Sequence, residues 1–475
     1  MLTVRRFVGR ERELRVLQEA LEGVRAAAGS AEPGQCILIR GRRRVGKSSL
    51  VEEFLRRAEV PSLFFTAAGG SAKAELAELL DAVATSTLPQ RSLFAEEAPG
   101  RWNAAFRLLA EILPDTPSVV VFDEVPYLVH RIDAFEGMLQ RAWGRLLSRK
   151  PVLLLLIGSD LSMMEALNRY DRPFHQRGRE MVVGPLNPAD ISEMLGLEPA
   201  DTFDAALLTG GLPLICREWR PGTSMWEFLH AALDNPISAL LVSAERSLAA
   251  EFPPDAMSRE VLRAIGTGER TFTNIANAAG GIAHTTLSRA IDLLVSKRVV
   301  AAELPVSLRP SKDRRYRVAD PYLRFWLAFV EPHMAEIERM RGDLTLARVQ
   351  QQWTNWRGRA IEPLVRESLA RILPDGDLPA APVIGGYWTR SNDIEIDLVG
   401  ADRQPVAHRL LFLGSIKWLE TSPFDGRDLA ALHKHRAAIT NELVPLVAVS
   451  RSGISCTGLQ AAYAPENLLR AWRPS

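Results

Sequence analysis

The most chemically specific stretch of the sequence runs from Gly41 to Ser48 and reads GRRRVGKS. It fits the phosphate-binding pattern G-x-x-x-x-G-K-[ST] at every fixed position. In this pattern the backbone N–H groups and the helix N-terminus surround phosphates, the lysine reaches the β- and γ-phosphates, and the last hydroxyl binds Mg²⁺. We therefore predict a nucleoside triphosphate site formed by Gly41, Arg44, Val45, Gly46, Lys47, Ser48 and Ser49.

Two acids follow the apolar run Ser118 to Phe122. A strand that is apolar throughout is covered on both faces, and acids at its C-terminal end lie where parallel sheets bind ligands. We expect Asp123 to hold Mg²⁺, directly or through water, and Glu124 to polarise the attacking water. Taken alone, the same pattern also fits a strand that is simply capped by acids.

Ser159 and Arg177 complete the predicted catalytic set with Lys47 and Glu124. Ser159 ends the next buried run, Val152 to Gly158, and its hydroxyl could bond the γ-phosphate or the attacking water as a sensor. An ordinary serine at a strand end is the alternative. Arg177 lies in a basic segment and could neutralise charge in the transition state.

The segments around these residues predict an α/β fold. The apolar run Cys36 to Ile39 precedes the loop, and a helical run, Ser49 to Arg57, follows it, which is the strand-loop-helix context of the motif. Leu63 to Thr66 reads as a further buried strand and Ala74 to Thr85 as a helix. The prediction is a parallel P-loop sheet with helices on both faces.

Length, charge and cysteine usage restrict the classes of protein. A chain of 475 residues is too long for a single hydrophobic core. At about 150 residues per domain, it suggests about two to four domains. A net charge of +1 gives no overall attraction to nucleic acid, so such binding needs local patches. Three scattered cysteines argue against disulfides and zinc. With no signal-peptide core and no apolar run of membrane-spanning length, we expect a cytoplasmic protein without a membrane partner.

Five motifs occur in order along the chain, FVGREREL, GRRRVGKS, VVVFDE, LLIGSD and GGLPLI. Together they resemble the STAND branch of the AAA+-related NTPases, and most closely the bacterial and archaeal ATPase family. The resemblance implies ATP as the nucleotide. It also implies that the Val-Gly-Arg corner and the Gly-x-Pro segment flank the adenine, so the base would be surrounded by Val8, Gly9, Arg10 and Pro213.

The chain departs from the family pattern just before Arg177. The family often has an aromatic residue and a glycine there, whereas this chain has His175 and Gln176. This departure from the family pattern counts against a sensor role for Arg177.

Residues 255–318 predict a winged helix. Three helical runs, Ser258 to Ile265, Phe272 to Ala279 and Thr285 to Lys297, precede a β-hairpin formed by Val299 to Leu304 and Arg314 to Val318. Small polar residues at the start of the third helix and a basic wing suit double-stranded DNA. The candidate contacts are Thr285, Thr286, Arg289, Lys312, Arg314, Arg315 and Arg317. The alternative, common among STAND proteins, is a winged helix that packs on the nucleotide domain as an internal relay.

The C-terminal region resembles the PD-(D/E)xK fold of restriction endonucleases, the domain that closes this ATPase family. A helix from Gly358 to Ile372 is followed by strands Glu395 to Val399 and Leu410 to Trp418. Because side chains alternate along a strand, Glu395 and Asp397 share one face. The predicted nuclease-like site consists of Glu362, Glu395, Asp397 and Lys417.

Ser415 occupies the position at which this fold normally has a Mg²⁺-binding glutamate. A serine is a poorer ligand for a hard cation than a carboxylate, because such sites rely on negative charge. Three interpretations are open: an inactive nuclease kept for DNA or protein binding, replacement of the missing acid by Glu395, or acids on a solvated sheet face.

The sequence as a whole predicts a P-loop ATPase domain with a helical lid over residues 1–250, a winged helix over 251–335 and a degenerate PD-(D/E)xK-like α/β domain over 336–475. The predicted function is an ATP-hydrolysing switch, with ATP and Mg²⁺ as cofactors, whose nucleotide state is coupled to the C-terminal modules. Candidate partners are double-stranded DNA and a second copy or another protein. The alternatives are an ATP-regulated, Mg²⁺-dependent DNA nuclease and a non-catalytic DNA-binding regulator.

Overall fold

The chain divides into two compact units, Met1–Pro185 and Leu186–Ser475. The computed structural model describes residues 7–167, 169–170, 178–252 and 256–473. Arg177, the predicted sensor arginine, and its neighbours His175 and Gln176 lie outside the described residues. The predicted boundaries after residues 250 and 335 both fall within the second unit.

The described part of the first unit contains a five-stranded sheet in the order β2-β3-β4-β1-β5, in which every pairing is parallel. The strands are β1 (Gln35–Arg40), β2 (Ser62–Thr66), β3 (Ser118–Asp123), β4 (Val152–Gly158) and β5 (Arg179–Val182). The helices are α1 (Glu11–Ala26), α2 (Lys47–Ala58), α3 (Ala72–Thr85), α4 (Ser92–Glu97), α5 (Trp102–Ile112), α6 (Val125–Arg131), α7 (Phe135–Arg145) and α8 (Leu161–Leu167). The predicted parallel α/β sheet is confirmed.

Helices cover both faces of this sheet, which is why its central strands are apolar throughout. Strands β3 and β4 are buried at every residue. On one face, Leu154 and Phe122 join a core with the aromatic side chains of α5 and α7. On the other face, α1 contacts β1 and β4. Burial on both faces is the condition under which parallel strands form continuous apolar runs.

The strand order determines where the predicted site residues meet. Strand β4 lies between β1, which leads into the phosphate loop, and β3, which ends in Asp123. Parallel strands end at the same edge of a sheet, so the loop, the acids and Ser159 all emerge there.

The second unit begins with helices and continues into the segment predicted to be a winged helix. The first helices are α9 (Pro188–Leu195), α10 (Pro199–Thr209), α11 (Pro213–Glu218), α12 (Met225–Leu233) and α13 (Ala239–Glu251). They are followed by α14 (Met257–Gly266), α15 (Phe272–Ala278), α16 (His284–Ser296) and an antiparallel hairpin of β6 (Val300–Glu303) and β7 (Arg315–Val318). These elements lie where the sequence placed them, and their identity as a winged helix stays a prediction.

Two breaks divide the helices that lead into the C-terminal part. The first lies between α18 (Met334–Glu338) and α19 (Gly342–Ala360), which follow α17 (Pro321–Phe325) and a π-helical turn, Trp326–Val330. Met340 between them has a φ of 59°, a left-handed conformation that a helix interior does not tolerate. The run Gly358 to Ile372 is likewise split, because α19 ends before α20 (Glu362–Ile372), whose second residue is a proline without an N–H.

A mixed five-stranded sheet, in the order β12-β11-β10-β9-β8, forms the C-terminal part of the second unit. After α20 come β8 (Val383–Trp388), β9 (Glu395–Ala401), β10 (Leu410–Lys417), α21 (Gly426–Ile439), β11 (Leu446–Ser450), β12 (Ala461–Tyr463) and α22 (Pro465–Arg470). The first three strands are antiparallel, and β10, β11 and β12 run parallel. Side chains of α20 and α22 cover one face, and those of α21 cover the other. No helix in the described ranges has the length and apolar character to span a bilayer.

Candidate functional site

The phosphate loop joins β1 to α2, and two of its glycines have a conformational reason to be there. A Cβ on Gly41 would lie 2.2 Å from the carbonyl oxygen of Val183, so a side chain has no room at the start of the loop. Gly46 has a φ of 88° immediately before α2, in the region that glycine adopts at little cost. The first N–H groups of α2, which have no partner within the helix, therefore face the loop. Arg44, Val45 and Ser49 lie on the loop or in the first turn of α2.

The side chain of Lys47 is buried against the backbone of the phosphate loop. Its Nζ donates hydrogen bonds to the carbonyl oxygens of Gly41, at 2.8 Å, and Arg42, at 3.0 Å. Burial lowers the pKa of the Lys47 ammonium, and the carboxylates of Glu124 and Asp123 act in the opposite direction by attracting its charge. The ammonium group is thus held between the loop and the acids, where a phosphate would meet it.

Ser48 and Asp123 bring the loop into direct contact with the acid strand. The Ser48 hydroxyl donates to Oδ2 of Asp123 at 2.6 Å, and the backbone N–H of Glu124 donates to Oδ1 at 2.8 Å. A hydroxyl and a carboxylate oxygen side by side are hard oxygen ligands of the type that Mg²⁺ prefers. The residues present therefore fit Mg²⁺ at this point.

Glu124 begins α6 in a left-handed conformation, with a φ of 54°. Such a conformation costs free energy in a residue with a side chain and often occurs at functional sites. Its Oε2 accepts a hydrogen bond from the Ser159 hydroxyl at 2.9 Å. In this structure Ser159 therefore positions the carboxylate of Glu124, and its contact with the γ-phosphate or with water stays a prediction.

Arg10 braces the phosphate loop from the side of α1. Its buried Nη2 donates to the carbonyl oxygens of Val45, at 2.8 Å, and Gly184, at 2.6 Å. The backbone of Arg10 is itself left-handed, with a φ of 66°. The guanidinium group of Arg10 therefore holds the backbone of the phosphate loop in place at Val45. The positions around the adenine that the resemblance implies, Val8, Gly9, Arg10 and Pro213, stay predictions; Pro213 is the first residue of α11.

The residues predicted to contact DNA separate into two groups. The first group is exposed to solvent and consists of Thr285, Thr286, Arg289, Lys312 and Arg314. These side chains lie on α16 and in the segment that leads into β7. They present the polar and basic surface that the sequence indicated.

The second group consists of Arg315 and Arg317, whose guanidinium groups pair with carboxylates of the second unit. Arg315 is buried, donates to Oε1 of Glu395 at 2.5 Å and lies over the ring of Trp388. Arg317 donates to Oε1 of Glu303 at 2.6 Å. The predicted DNA contact by Arg315 is corrected here, because its guanidinium is buried against a carboxylate that strand alternation cannot reveal, and the contact by Arg317 stays a prediction.

In the C-terminal sheet, Asp397 on β9 and Ser415 on β10 are in contact. Oδ2 of Asp397 accepts hydrogen bonds from the Ser415 hydroxyl, at 2.9 Å, and from the backbone N–H of Ile416, at 2.8 Å. Burial raises the pKa of Asp397, against the effect of these hydrogen bonds. The serine at the position of the expected glutamate therefore donates to the neighbouring acid.

The other residues of the predicted nuclease-like site have partners of their own. Nζ of Lys417 pairs with Oδ2 of Asp428 on α21 at 2.6 Å, and Glu362 pairs with Arg366 at 2.8 Å. Burial raises the pKa of Glu362 to about 7, assisted by the nearby carboxylate of Asp397 and opposed by Arg366. A cavity of about 420 Å³ is lined by Glu362, Glu395, Asp397, Ser415, Asp428 and His435.

The donor set of this cavity does not fit a resident divalent cation. Across the described ranges, no three His, Cys, Asp or Glu side chains are grouped so that they could hold a metal ion. Ser415 and the backbone of Ile416 already donate to Asp397. Mg²⁺ sites depend on carboxylate charge, which is reduced here by the missing glutamate.

Asp428 is a residue that sequence reasoning missed. It belongs to a capping box at the start of α21, where Asp425 accepts from the Asp428 N–H. That local pattern can be recognised in the sequence. Its pairing with Lys417 joins α21 to β10, and no local sequence pattern indicates that pairing.

Comparisons with known proteins agree with the geometry of the first unit. Residues 6–157 match the family described as AAA ATPase domain, and residues 326–429 match the family described as "Archaea bacterial proteins of unknown function". An uncharacterised protein of Methanocaldococcus jannaschii is 23% identical over 426 residues, which cover 88% of this chain and 89% of that protein. Over residues 6–157 the chain is thus similar to the AAA ATPase domain family, in agreement with its phosphate loop and parallel sheet.

Similar solved structures include three archaeal proteins. A Walker-type ATPase of Pyrococcus abyssi is 20% identical, with 68% of this chain and 96% of that chain covered and a TM-score of 0.47. The Aeropyrum pernix ORC2 protein, in its ADPNP-ADP complexes, is 16% identical, with 73% and 95% covered and a TM-score of 0.45. The Aeropyrum pernix ORC1 protein, in complex with DNA, is 18% identical, with 70% and 95% covered and a TM-score of 0.34.

Proposed function

We propose that this protein is an ATP-binding and ATP-hydrolysing switch of the STAND type, with Mg²⁺ as the metal cofactor. One observation carries the proposal: the phosphate loop and the acid strand meet through the 2.6 Å hydrogen bond between Ser48 and Asp123. Lys47 is the first residue of α2 at the end of the same loop, and Glu124 directly follows the last residue of β3. This is the arrangement that phosphoryl transfer from a nucleotide requires.

Each residue of the site has a distinct role in the proposal. Lys47 binds the β- and γ-phosphates, and Ser48 with Asp123 would hold Mg²⁺, which supplies charge neutralisation between those phosphates. Glu124 orients the attacking water and accepts its proton. Ser159 is a positioning residue, because its hydroxyl holds the Glu124 carboxylate at 2.9 Å.

A switch requires that ATP and ADP favour different states of the chain, since a ligand shifts an equilibrium only through its differential affinity. Hydrogen exchange of the full chain, with ADP and with a non-hydrolysable ATP analogue, tests this requirement. We expect amides beyond residue 186 to exchange at different rates in the two nucleotide states. A difference confined to the phosphate loop and the ends of β3 and β4 would contradict coupling.

A second function, DNA cleavage by the C-terminal part, is favoured by one observation. The elements α20, β8, β9, β10, α21 and β11 follow the helix-strand order of the PD-(D/E)xK fold, with Asp397 on the second strand and Ser415-x-Lys417 on the third. The contact between Ser415 and Asp397, and the pairing of Lys417 with Asp428, favour a module that binds without cutting.

Supercoiled plasmid incubated with the full chain, Mg²⁺ and ATP distinguishes a cutting module from a binding one. We expect the plasmid to remain intact, because the donor set lacks the carboxylate that Mg²⁺ needs. An Asp397→Ala protein serves as the control. Nicking or linearisation by the unaltered protein that is lost in Asp397→Ala would establish the nuclease and contradict the inactive module.

DNA binding by the predicted winged helix is tested at two basic residues of the wing that face solvent, Lys312 and Arg314. If they neutralise DNA phosphates, the double alanine variant should weaken binding and reduce the slope of log affinity against log salt by about 1 to 2. A variant that removes two exposed charges elsewhere in the unit, Arg220→Ala with Arg339→Ala, is the matched control. An unchanged salt slope in the Lys312 and Arg314 variant would exclude phosphate contact by the wing.

A further inference from the structure

A pocket lined by six arginines lies between the β6–β7 hairpin and the C-terminal sheet of the second unit. The arginines are Arg270, Arg315, Arg317, Arg324, Arg359 and Arg366. Two of them lie on β7 and the others come from the segment before α15 and from α17, α19 and α20, so their convergence is a tertiary arrangement and not a local basic run. The ATP site described above uses none of them.

Two of the arginines form close ion pairs with carboxylates that a second arginine also approaches. Arg315 pairs with Glu395 at 2.5 Å, and Arg317 pairs with Glu303 at 2.6 Å. Arg270 also approaches Glu395, at 3.6 Å, so it shares a carboxylate that is already engaged. Burial, together with the nearby Arg315 guanidinium, lowers the pKa of Arg270.

A third arginine, Arg366, pairs with Glu362 at 2.8 Å and donates twice to the backbone carbonyl of Asp397. The pKa of Glu362 is raised to about 7 by burial, so near neutral pH this carboxyl is only partly charged. Near neutral pH the pocket therefore carries less negative charge than its number of carboxyl groups suggests.

Arg324 and Arg359 supply positive charge without a close ion pair of their own, and the carboxylates of Glu362 and Glu303 attract the Arg324 guanidinium only from a greater distance. No carboxylate of the described residues lies within ion-pair distance of either guanidinium. Arg324 donates to the backbone carbonyl of Arg359 at 3.2 Å, and burial lowers its pKa to about 10. The side chain of Arg359 is exposed at the pocket mouth.

Six guanidinium groups line the pocket beside only four carboxyl groups, so positive charge is in excess. The guanidinium groups repel one another, and an oxyanion reduces that repulsion. The planar fork of arginine matches the geometry of phosphate oxygens in particular. The structure therefore maintains an arrangement whose natural complement is a phosphate group.

The size of the pocket limits what can enter it. Its volume is about 40 Å³, which compares with roughly 10–15 Å³ for one water molecule measured in the same way. One tetrahedral oxyanion fits, and a nucleoside does not. The pocket shares Arg359, Glu362, Glu395 and Asp397 with the neighbouring cavity of about 420 Å³, which has room for a sugar and a base.

We propose that this pocket binds one phosphate group, with Arg324 and Arg359 as its principal donors, and that the rest of the phosphorylated molecule extends into the cavity beside Asp397. The phosphate belongs to a mononucleotide or to the end of a nucleic-acid strand, which share this chemistry. The proposal is independent of ATP hydrolysis, because the phosphate loop takes no part in it.

Titration calorimetry with inorganic phosphate tests the site in the full chain. A Lys47→Ala background weakens competing phosphate binding at the loop, and all variants are compared within it. Arg324→Gln and Arg359→Gln should each weaken phosphate binding by about ten-fold or more, because each removes a charge-assisted hydrogen bond. Arg339→Gln, which removes an exposed arginine elsewhere in the unit, should leave it unchanged.

The second half of the experiment identifies the source of the phosphate. AMP and two versions of one short single-stranded DNA, with a 5′-phosphate and with a 5′-hydroxyl, are titrated in the same way. Arginine-dependent binding of only the 5′-phosphorylated strand assigns the site to strand ends, and equal binding of AMP assigns it to mononucleotides. Because Arg359 is exposed, its substitution should preserve the fold even if Arg324→Gln does not. Absence of phosphate binding, or equal binding by the background protein and Arg359→Gln, would overturn the proposal.

Discussion

A Lys47→Ala protein is expected to bind ATP about 100-fold more weakly than the unaltered protein. The ammonium of Lys47 lies inside the phosphate loop, held by the carbonyl oxygens of Gly41 and Arg42. When ATP binds, the ammonium can exchange these carbonyls for phosphate oxygens. Hydrogen bonds between charged groups contribute roughly 1.5–3 kcal/mol each, and one lysine can make more than one of them.

Equilibrium binding of a fluorescent ATP analogue measures this loss, with Lys73→Ala as the control. Lys73 is an exposed lysine on α3 in the same unit, so its removal changes the net charge by the same amount without touching the loop. A melting curve of each variant separates loss of binding from loss of fold. Equal ATP affinity of the Lys47→Ala and Lys73→Ala proteins would contradict the assignment of the loop.

A Glu124→Gln protein is expected to bind ATP with nearly unchanged affinity and to hydrolyse it about 100-fold or more slowly. General base catalysis typically contributes about 10²–10⁴-fold to a rate, and an amide cannot accept the proton of the attacking water. The glutamine keeps the shape of the side chain, and its carbonyl oxygen can still accept the hydrogen bond from Ser159. The loss should therefore appear in kcat with little change in KM.

The matched control for this variant is Glu96→Gln, which alters an exposed acid in α4 of the same unit. Steady-state phosphate release and equilibrium binding are measured on the same preparation of each protein. ATP turnover by Glu124→Gln at the rate of the Glu96→Gln protein would show that another group activates the water.

The first unit was largely predictable from the sequence, because its signals are local and mutually consistent. The loop pattern, the apolar run before it and the acids after Ser118 to Phe122 each indicate the same parallel sheet. The contact between Ser48 and Asp123 follows from the strand order, in which only β4 separates the two strands. Sequence spacing and sheet topology together therefore specify that part of the site.

Side-chain partners from distant elements were not predictable. The sequence left open whether the Ser159 hydroxyl bonds the γ-phosphate, the attacking water or neither, and it did not indicate the hydrogen bond to Glu124 that the structure shows. Arg315 was expected on a solvent-facing wing, and the structure pairs it with Glu395, eighty residues away in the sequence. A charged residue on a short strand has the same local pattern whether its partner is water, phosphate or a carboxylate.

The same limit applies to the interior of the second unit. Arg357 is only 1% exposed and pairs with Asp204 at 2.8 Å and with Glu420 at 2.6 Å. It lies in the last turn of α19. A buried arginine of this kind requires carboxylates from elsewhere in the fold, and no local sequence pattern indicates which residues supply them.

The most direct test of the account is phosphate release from ATP by the unaltered full chain, measured with Mg²⁺ and with excess EDTA. The account predicts release that requires Mg²⁺ and that falls to background in the Lys47→Ala protein, because the loop and the Ser48–Asp123 pair form one site. No release by the unaltered protein in Mg²⁺, or equal release by the Lys47→Ala protein, would contradict it.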